Sequence, residues 1–565
     1  MIRKYRDSIR TRHFVWLTLI YISAQWMLLV LSGQWYDDWI YADHDVAFLI
    51  DSFMQSSLPL HAFIDLVIWN LPFRYIVFVM YLGTGYFVYR TLEKINLFSQ
   101  VDAFWITALF LTVPIFDVRT TFICFGYALG LFVFWIAFFL TAIWKNSTGK
   151  KRIIFRCLAL FMLMLSFDTE SQMLMTLVIL LYLYYEDLKG DIKEREKFLI
   201  ILKKFLISII HNIDYLLAPI VWYVGDKILF PGYGFYNGHS YVKWNELPGI
   251  ILKSPFLAIQ MLEKIFENYK NCFDEVYTVV ILAAVTVAFV ALFLITHKNR
   301  KTEILRINDK FIVDVAMLLV GLFTFFIGIF PYIVKRSAVM EPIYTGGRDS
   351  VLLGIGIALI IYYAVKIILR SEIQRLALVI ILTLGVIHFN YTYIDWQEGY
   401  YQQLQLRDEF AENEEIKEDK TVLVKYSGDK IYHSYYQTGG NYWTVTGNQD
   451  TFFICDFEDL VMIDTMTPDD WHLNGWMMKE YDPSRKIIDG IMYVTYDPKN
   501  RKTIVREKFN EMFNKDAFNQ WIHDIKNINY VRISEEQSNM IFNDLHDGTL
   551  NEYEFMLQDW QNYIE

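Results

Sequence analysis

The sequence contains little charge for its length and few cysteines. Charged side chains make up 20% of the 565 residues, whereas 54% of the residues are hydrophobic and 17% are aromatic. A soluble protein of this size normally carries more charge and fewer aromatic rings. The four cysteines show no metal-binding spacing. The formal net charge of −11 argues against a basic surface, so we expect no nucleic-acid partner.

Apolar runs dominate the first two thirds of the chain. A membrane helix needs ~20 residues to cross the ~30 Å hydrocarbon core, and about eleven runs approach that length. The first run follows a basic segment and has no small-residue cleavage site after it, so we expect a retained anchor. The runs lie near residues 14–33, 72–91, 102–118, 122–144, 153–168, 171–185, 199–229, 276–296, 311–334, 350–369 and 375–393.

The distribution of positive charge predicts the orientation of these runs. If the N-terminus is cytoplasmic and the runs alternate, the inner segments hold most of the Lys and Arg residues found between spans. An odd number of spans then places the C-terminal region outside. We therefore expect a multi-pass protein of a bacterial cytoplasmic membrane, with its N-terminus inside and its working face outside.

The composition changes after Trp396, which predicts two domains. Residues 1–395 form a transmembrane domain of about eleven α-helices, and residues 396–565 form a soluble extracytoplasmic α/β domain. Helical patterns in the second domain lie near 500–525 and 551–564. Strand-like runs occur at Thr421–Tyr426, Thr451–Phe457, Leu460–Asp464 and Ile487–Tyr496.

Two adjacent carboxylates, Asp37 and Asp38, follow the first apolar run. Aromatic residues on either side of them fit the membrane–water interface. A carboxylate shielded from water there can have a raised pKa and act as a general base. The alternative is that one of the two caps the following interfacial helix. We favour the catalytic role because placing acids near lipid is costly.

A second group of acids lies at the predicted outer ends of later helices. Asp117, Asp168 and Glu170 could line one acidic cavity with the first pair, or they could be ordinary water-facing turn residues. Carboxylate oxygens suit hard divalent cations. A divalent metal is therefore compatible with this cavity, although no spacing requires one and we assign no cofactor.

The outer basic residues are Lys335, Arg336, Arg348 and Arg119. They run against the positive-inside trend, and the planar guanidinium fork matches phosphate oxygens, so we expect phosphate binding. The alternative for Arg348 is an ion pair with its neighbour Asp349.

The long outer loop that spans residues 230–275 is rich in aromatic residues and glycine. It supplies His239 and Tyr236 as candidate substrate contacts. The alternative is an ordinary interfacial loop, and a lone loop histidine is usually not catalytic.

These features together resemble the GT-C superfamily of polytopic membrane glycosyltransferases. The likeness rests on an acidic pair in the first outer loop, many helices and an outer C-terminal domain. The Asp37-Asp38-Trp39 sequence looks like that of bacterial glucosyltransferases that modify O-antigens. Where a Ser-Arg-His type motif is expected, this chain has Gly347-Arg348-Asp349, so the likeness supports a role for Arg348 alone.

The resemblance implies an enzyme that takes sugar from a polyprenyl-phosphate carrier and transfers it to a cell-surface glycan or glycolipid. Arg348, with Lys335 or Arg336, would hold the donor phosphate. Asp37 or Asp38 would remove the proton of the acceptor hydroxyl, which inverts the anomeric centre. A carrier-bound donor fits the lack of a Gly-rich phosphate loop. The alternatives are a flippase or a polymerase of lipid-linked glycans, and a non-catalytic assembly factor. A flippase would predict inverted repeats, and we detect none.

Overall fold

The computed structural model describes residues 2–35, 38, 46–68, 71–95, 97–189, 198–233, 246–273, 307–336, 342–369, 371–428, 434–467, 480–497, 500–557 and 560. The chain divides into two units. The first unit contains Met1–Val30 and Leu49–Asn390, and the second contains Leu31–Phe48 and Tyr391–Glu565. The second unit thus joins the C-terminal region to the segment that follows the first apolar run.

The first unit is built from helices joined by short connections. Its 3₁₀ turns lie at Trp26–Leu29, Asp117–Thr120, Glu170–Met175, Asn271–Phe273 and Tyr344–Ser350. The last of the helices below, α14, continues into the second unit. The helices are α1 (Ile2–Gln25), α2 (Val46–Gln55), α3 (Pro59–Ile68), α4 (Phe73–Lys94), α5 (Gln100–Thr112), α6 (Phe125–Lys145), α7 (Lys150–Ser166), α8 (Thr176–Leu188), α9 (Phe198–His211), α10 (Ile213–Leu229), α11 (Leu247–Lys270), α12 (Ile307–Arg336), α13 (Gly354–Ile368) and α14 (Ser371–Glu412).

Some of the described helices are long and apolar enough to cross a membrane. They are Phe125–Lys145, Phe311–Lys335 and Ile373–Glu412. A fourth span is formed if Lys203–His211 and Ile213–Leu229 count as one, although the chain bends by 52° between them. This architecture is compatible with a helical membrane protein. The apolar run at 276–296 lies outside the described residues, and the total of about eleven spans stays a prediction.

Ion pairs connect the helix ends that the alternation of spans places inside. Arg10 bonds Glu93 at 2.8 Å, and Lys145 bonds Asp187 at 2.6 Å. At the same end of the helices, Lys366 lies 2.9 Å from Asp314, and Arg156 lies 2.6 Å from Asp214. These pairs fix the ends of neighbouring helices against one another.

The second unit contains a four-stranded sheet with helices around it. The strands are β1 (Thr421–Ser427), β2 (Phe452–Ile454), β3 (Gly490–Thr495) and β4 (Ile528–Arg532), in the order β2-β1-β3-β4. β1 pairs in parallel with β2 and β3, whereas β4 is antiparallel to β3. The helices are α15 (Glu414–Glu418), α16 (Tyr435–Thr446), α17 (Phe457–Thr465), α18 (Arg501–Phe513), α19 (Lys515–Asp524), α20 (Glu535–His546) and α21 (Glu552–Leu557).

The core of the second unit lies between the sheet and the C-terminal part of α14. Leu406 and Phe410 of this helix pack with Val422 and Val424 of β1 and with Met492 of β3. The predicted strands at Thr421–Tyr426 and Ile487–Tyr496 are confirmed in position by β1 and β3.

The prediction of a strand at Leu460–Asp464 is wrong, because this segment belongs to α17. The side chain of Asp456 accepts a hydrogen bond from the backbone N–H of Asp459, and the side chain of Asp459 accepts one from Asp456 in return. Such a capping box starts a helix, whereas a short apolar run by itself fits either structure.

Candidate functional site

In the first unit, two 3₁₀ turns that follow apolar helices are bonded to each other. Pro114 ends α5, and Phe116 then adopts a left-handed conformation with φ of 53°. The backbone N–H of Phe116 donates to the Ser350 hydroxyl at 2.9 Å and also lies 3.3 Å from the Pro342 carbonyl oxygen. The turn Asp117–Thr120 is therefore held against the turn Tyr344–Ser350.

This pairing brings the predicted residues Asp117 and Arg348 into one region. Asp117 is fully buried, and its Oδ1 would lie only 2.7 Å from a Cβ atom placed on Gly347. A glycine is needed here because any side chain would meet the carboxylate. Arg348 Nε lies 3.9 Å from Asp349 Oδ1, and the Arg348 side chain is 29% exposed.

Arg119 lies in the same turn but is enclosed by aromatic rings. Its guanidinium carbon is 4.2 Å from the ring centre of Tyr81, 4.9 Å from that of Phe389 and 5.6 Å from that of Phe116. One of its nitrogens donates to the Ile115 carbonyl at 3.3 Å. Cation–π contacts thus stabilise a fully buried positive charge beside Asp117. The binding of phosphate by Arg119 stays a prediction.

Asp168 forms a buried pair with His61. The carboxylate accepts hydrogen bonds from the backbone N–H groups of Leu60 at 3.1 Å and His61 at 2.9 Å, and it also contacts the His61 Nδ1 atom. The pair lines a small cavity of about 20 Å³. The His61 ring lies over Gly126, where a Cβ atom would overlap it. A carboxylate that fixes a histidine ring in this way is an arrangement suited to proton transfer.

A chain of contacts connects these groups. Glu170 accepts a hydrogen bond from Lys227 at 2.7 Å. Its neighbour Ser171 bonds the Tyr332 hydroxyl at 2.9 Å, and Tyr332 lies within electrostatic range of Asp349 and Arg348.

We call these groups the polar layer. Its members are His61, Asp117, Asp168, Glu170, Lys227, Tyr332, Arg348 and Asp349. They come from the loops and helix ends that the alternation of spans places outside. Lys335 is exposed near the same helix end, and only the backbone of Arg336 is described.

The first-loop acid Asp38 belongs to the second unit and is 6% exposed. Its backbone N–H donates to the Trp35 carbonyl at 3.2 Å. The ring of Trp35 packs edge-on against Trp396 of α14 at 5.2 Å, and Gln403 of the same helix donates to the Gln34 carbonyl at 3.0 Å. The segment before Asp38 is therefore fixed along α14.

Three predicted site residues, Asp37, Tyr236 and His239, lie outside the described residues. Among those described, one group has metal-ligand spacing, formed by Asp408, Glu412 and His523, and it differs from the predicted acidic cavity. The ammonium group of Lys526 contacts Asp408 and Glu412. This positive charge already offsets part of their negative charge.

No protein-family model matches this chain, and no curated protein is significantly similar to it. The arguments about its function therefore rest on its own residues and on the resemblance described above.

Sequence reasoning missed His61, Lys227 and Tyr332. Lys227 was open to detection, because a lysine in the last turn of an apolar helix on the predicted outer side opposes the positive-inside trend. His61 and Tyr332 gave no comparable signal. Their partners, Asp168 and Ser171, lie 107 and 161 residues away along the chain.

Proposed function

We propose that the chain is a membrane glycosyltransferase that transfers a sugar from a polyprenyl-phosphate donor to a cell-surface glycan or glycolipid. The reaction takes place at the outer face of a bacterial cytoplasmic membrane. The observation that carries the proposal is the polar layer, in which charged groups from four separate loops meet at one end of apolar helices. Placing charged groups at helix ends near lipid is costly, and such groups therefore usually have a function.

The opposite helix ends support the orientation. There the ion pairs involve Arg10, Lys145, Arg156 and Lys366, in segments that carry the basic excess expected of the cytoplasmic side. With about eleven spans, we expect the C-terminal region to lie outside.

Arg348 is the best-placed residue for the donor phosphate. Its partly exposed guanidinium lies 3.9 Å from Asp349, which is longer than a normal hydrogen bond. Because 29% of this side chain is exposed, a phosphate can reach it from solvent. Lys335 and Arg336 add positive charge at the neighbouring helix end, and the buried Arg119 supplies a fixed positive field. Together they would stabilise the phosphate as a leaving group.

The acceptor hydroxyl needs a base. In the proposed step, its oxygen forms a bond to the anomeric carbon, the bond from that carbon to the carrier phosphate oxygen breaks, and the proton moves to Asp37 or Asp38. A single displacement inverts the anomeric centre. The His61–Asp168 pair is the second candidate for the base, because the carboxylate orients the ring and would stabilise it once protonated. A divalent cation is compatible with these acids, but the step does not require one.

One observation favours the alternative function of a flippase for lipid-linked glycans. α9 and α10 are bent by 52° around Asn212. Broken helices are typical of substrate sites in transporters. The Arg156–Asp214 pair at this break ties α10 to α7, which favours a fixed bend over a moving gate.

The decisive experiment compares surface glycans by mass spectrometry in wild type, a deletion strain and strains expressing Asp37→Asn, Asp38→Asn or Arg348→Ala at normal level. We expect the deletion and at least one Asp variant to lack one sugar while the polymer backbone remains. Arg348→Ala should lower its content by roughly tenfold or more, since a charged phosphate contact is worth ~1.5–3 kcal/mol.

Asp516→Asn is the matched control, because this aspartate is exposed on α19. It should leave the glycan unchanged. If both Asp variants restore the full glycan to the deletion strain, these acids are structural, and His61→Asn becomes the next variant. If the whole polymer is lost in the deletion strain and lipid-linked precursor accumulates inside, the flippase alternative replaces the proposal.

A further inference from the structure

The second unit contains a pocket of about 190 Å³ that the proposed reaction does not use. One wall is formed by a face of α14, where the lining residues follow helical spacing: Glu398, Tyr401, Gln402 and Gln405. The other walls come from the end of β3, the start of α18, and α19. The remaining lining residues are Tyr496, Asp497, Asn500, Thr503, Ile504, Trp521 and Ile525.

Aromatic rings form one side of this pocket. Trp521 is half-buried and packs edge-on against Tyr401 at a ring distance of 5.4 Å, and both rings contact Phe518. The Tyr401 hydroxyl bonds Glu511 at 3.0 Å, which fixes the ring. An apolar ring face that is held rigidly beside polar groups suits a ligand that has both apolar and polar faces.

Amides and carboxylates also line the pocket. The Gln405 side chain lines the pocket although the residue is only 5% exposed, and it makes no hydrogen bond to any described residue. Its amide is therefore open to the pocket, and a polar group that enters can form a hydrogen bond with it. Each amide offers both donors and an acceptor, as vicinal hydroxyl groups require.

Charge excludes several classes of ligand. Among the described residues that line the pocket none is Lys, Arg or His, whereas Glu398 and Asp497 are acidic. Phosphates, uronic acids and nucleotides would therefore be repelled.

We propose that this pocket binds one or two units of a neutral or amino sugar within a glycan. The C–H face of a pyranose would pack on Trp521, and its hydroxyl groups would bond Gln402, Gln405 and Asn500. The pocket faces away from the candidate base. On α14, the residues that hold the first-loop segment (Trp396, Tyr400 and Gln403) lie about opposite Gln405 and Glu398 at 100° per residue. The inference does not rest on the proposed transfer reaction, because a non-catalytic glycan-binding protein could use the same pocket.

The test measures saturation-transfer NMR signals of sugars added to the purified full-length protein in detergent micelles. The probes are methyl α-glucoside, N-acetylglucosamine and maltose, with glucuronate and glucose 6-phosphate as charged comparisons. We expect binding of at least one neutral or amino sugar and none of the charged ones. Trp521→Ala and Gln405→Leu should each weaken it by roughly tenfold.

Gln520→Leu is the matched control for Gln405→Leu, because Gln520 lies on α19, is exposed and does not line the pocket. It should bind like wild type. Trp521 supports its neighbours, so Gln405→Leu keeps the test valid if Trp521→Ala fails to fold. Any of three results would overturn the proposal. They are the absence of signal for every neutral and amino sugar, binding by both pocket variants equal to that of wild type, and stronger binding of the charged sugars. Asp38→Asn should retain binding, which separates this result from failure of the transfer reaction.

Discussion

Glu93 shows how a single carboxylate depends on its partners. Burial by itself would raise its pKa, but hydrogen bonds from Arg10 and Gln100, together with the charges of Arg10 and Arg90, lower the pKa below its usual value of 4.5. The ionised form is therefore more stable in the folded protein than in the unfolded chain. This stabilisation is complete above the unfolded pKa and is lost as the pH falls through the folded pKa.

We expect Glu93→Gln to lower the free energy of unfolding by about 1–3 kcal/mol at pH 7, because two arginines lose their counter-charge. The difference from wild type should shrink as the pH falls from 4.5 through the lower pKa of the folded protein, below which Glu93 is neutral in both states. Thermal unfolding in detergent between pH 3.5 and 7 would measure it. Glu552→Gln, at an exposed position, should show no such trend. If wild type and Glu93→Gln differed in the free energy of unfolding by the same amount at every pH, the charge of Glu93 would not be the cause of the stabilisation.

At this scale the sequence identified residues but not their partners. Asp117, Asp168 and Arg348 stood out because charges at the ends of apolar runs are unusual. The enclosure of Arg119 by Tyr81 and Phe389 could not be predicted, since it depends on helices that are far apart in the chain.

Among the helices, glycine allows the closest contacts. A Cβ atom on Gly356 of α13 would lie 2.6 Å from the backbone nitrogen of Phe325 in α12. Backbone cannot move aside as a flexible side chain can. Small residues at such crossings let membrane helices pack by van der Waals contact.

Gly356→Ala should therefore destabilise the protein by about 1–3 kcal/mol through overpacking. Gly225→Ala in α10 is the comparison, because no atom lies within 4 Å of its added Cβ. That change should be neutral or slightly stabilising, since alanine favours helix. The measurement is the midpoint temperature of thermal unfolding of the two variants. Equal midpoint temperatures would argue against close packing of α12 and α13.

Whether a segment is a helix or a strand was easier to predict than its first and last residues. The strand-like run at Thr421–Tyr426 correctly predicted β1, but the same reasoning predicted a strand where the capping box of Asp456 and Asp459 starts α17. β4 was missed, because Ile528–Arg532 is only half-buried and lacks the clear alternation of a strand with one buried face.

The topology of the whole chain is open to direct measurement. In a chain whose four cysteines are replaced by serine, Ser484→Cys should react with a membrane-impermeant maleimide in intact spheroplasts. Lys150→Cys should react only after the membrane is permeabilised. Both positions are exposed, so accessibility depends on the side of the membrane alone. The opposite pattern would reverse the orientation and place the polar layer in the cytoplasm.

The aromatic enclosure of Arg119 matters for the response of the protein to the external pH. On the outer face of a membrane, where we propose that the protein acts, carboxylates and histidines gain or lose protons as the external pH changes. A guanidinium keeps its proton at any pH that a cell survives. The positive charge beside Asp117 therefore stays the same at every physiological pH. A lysine at this position would make that charge depend on the external pH.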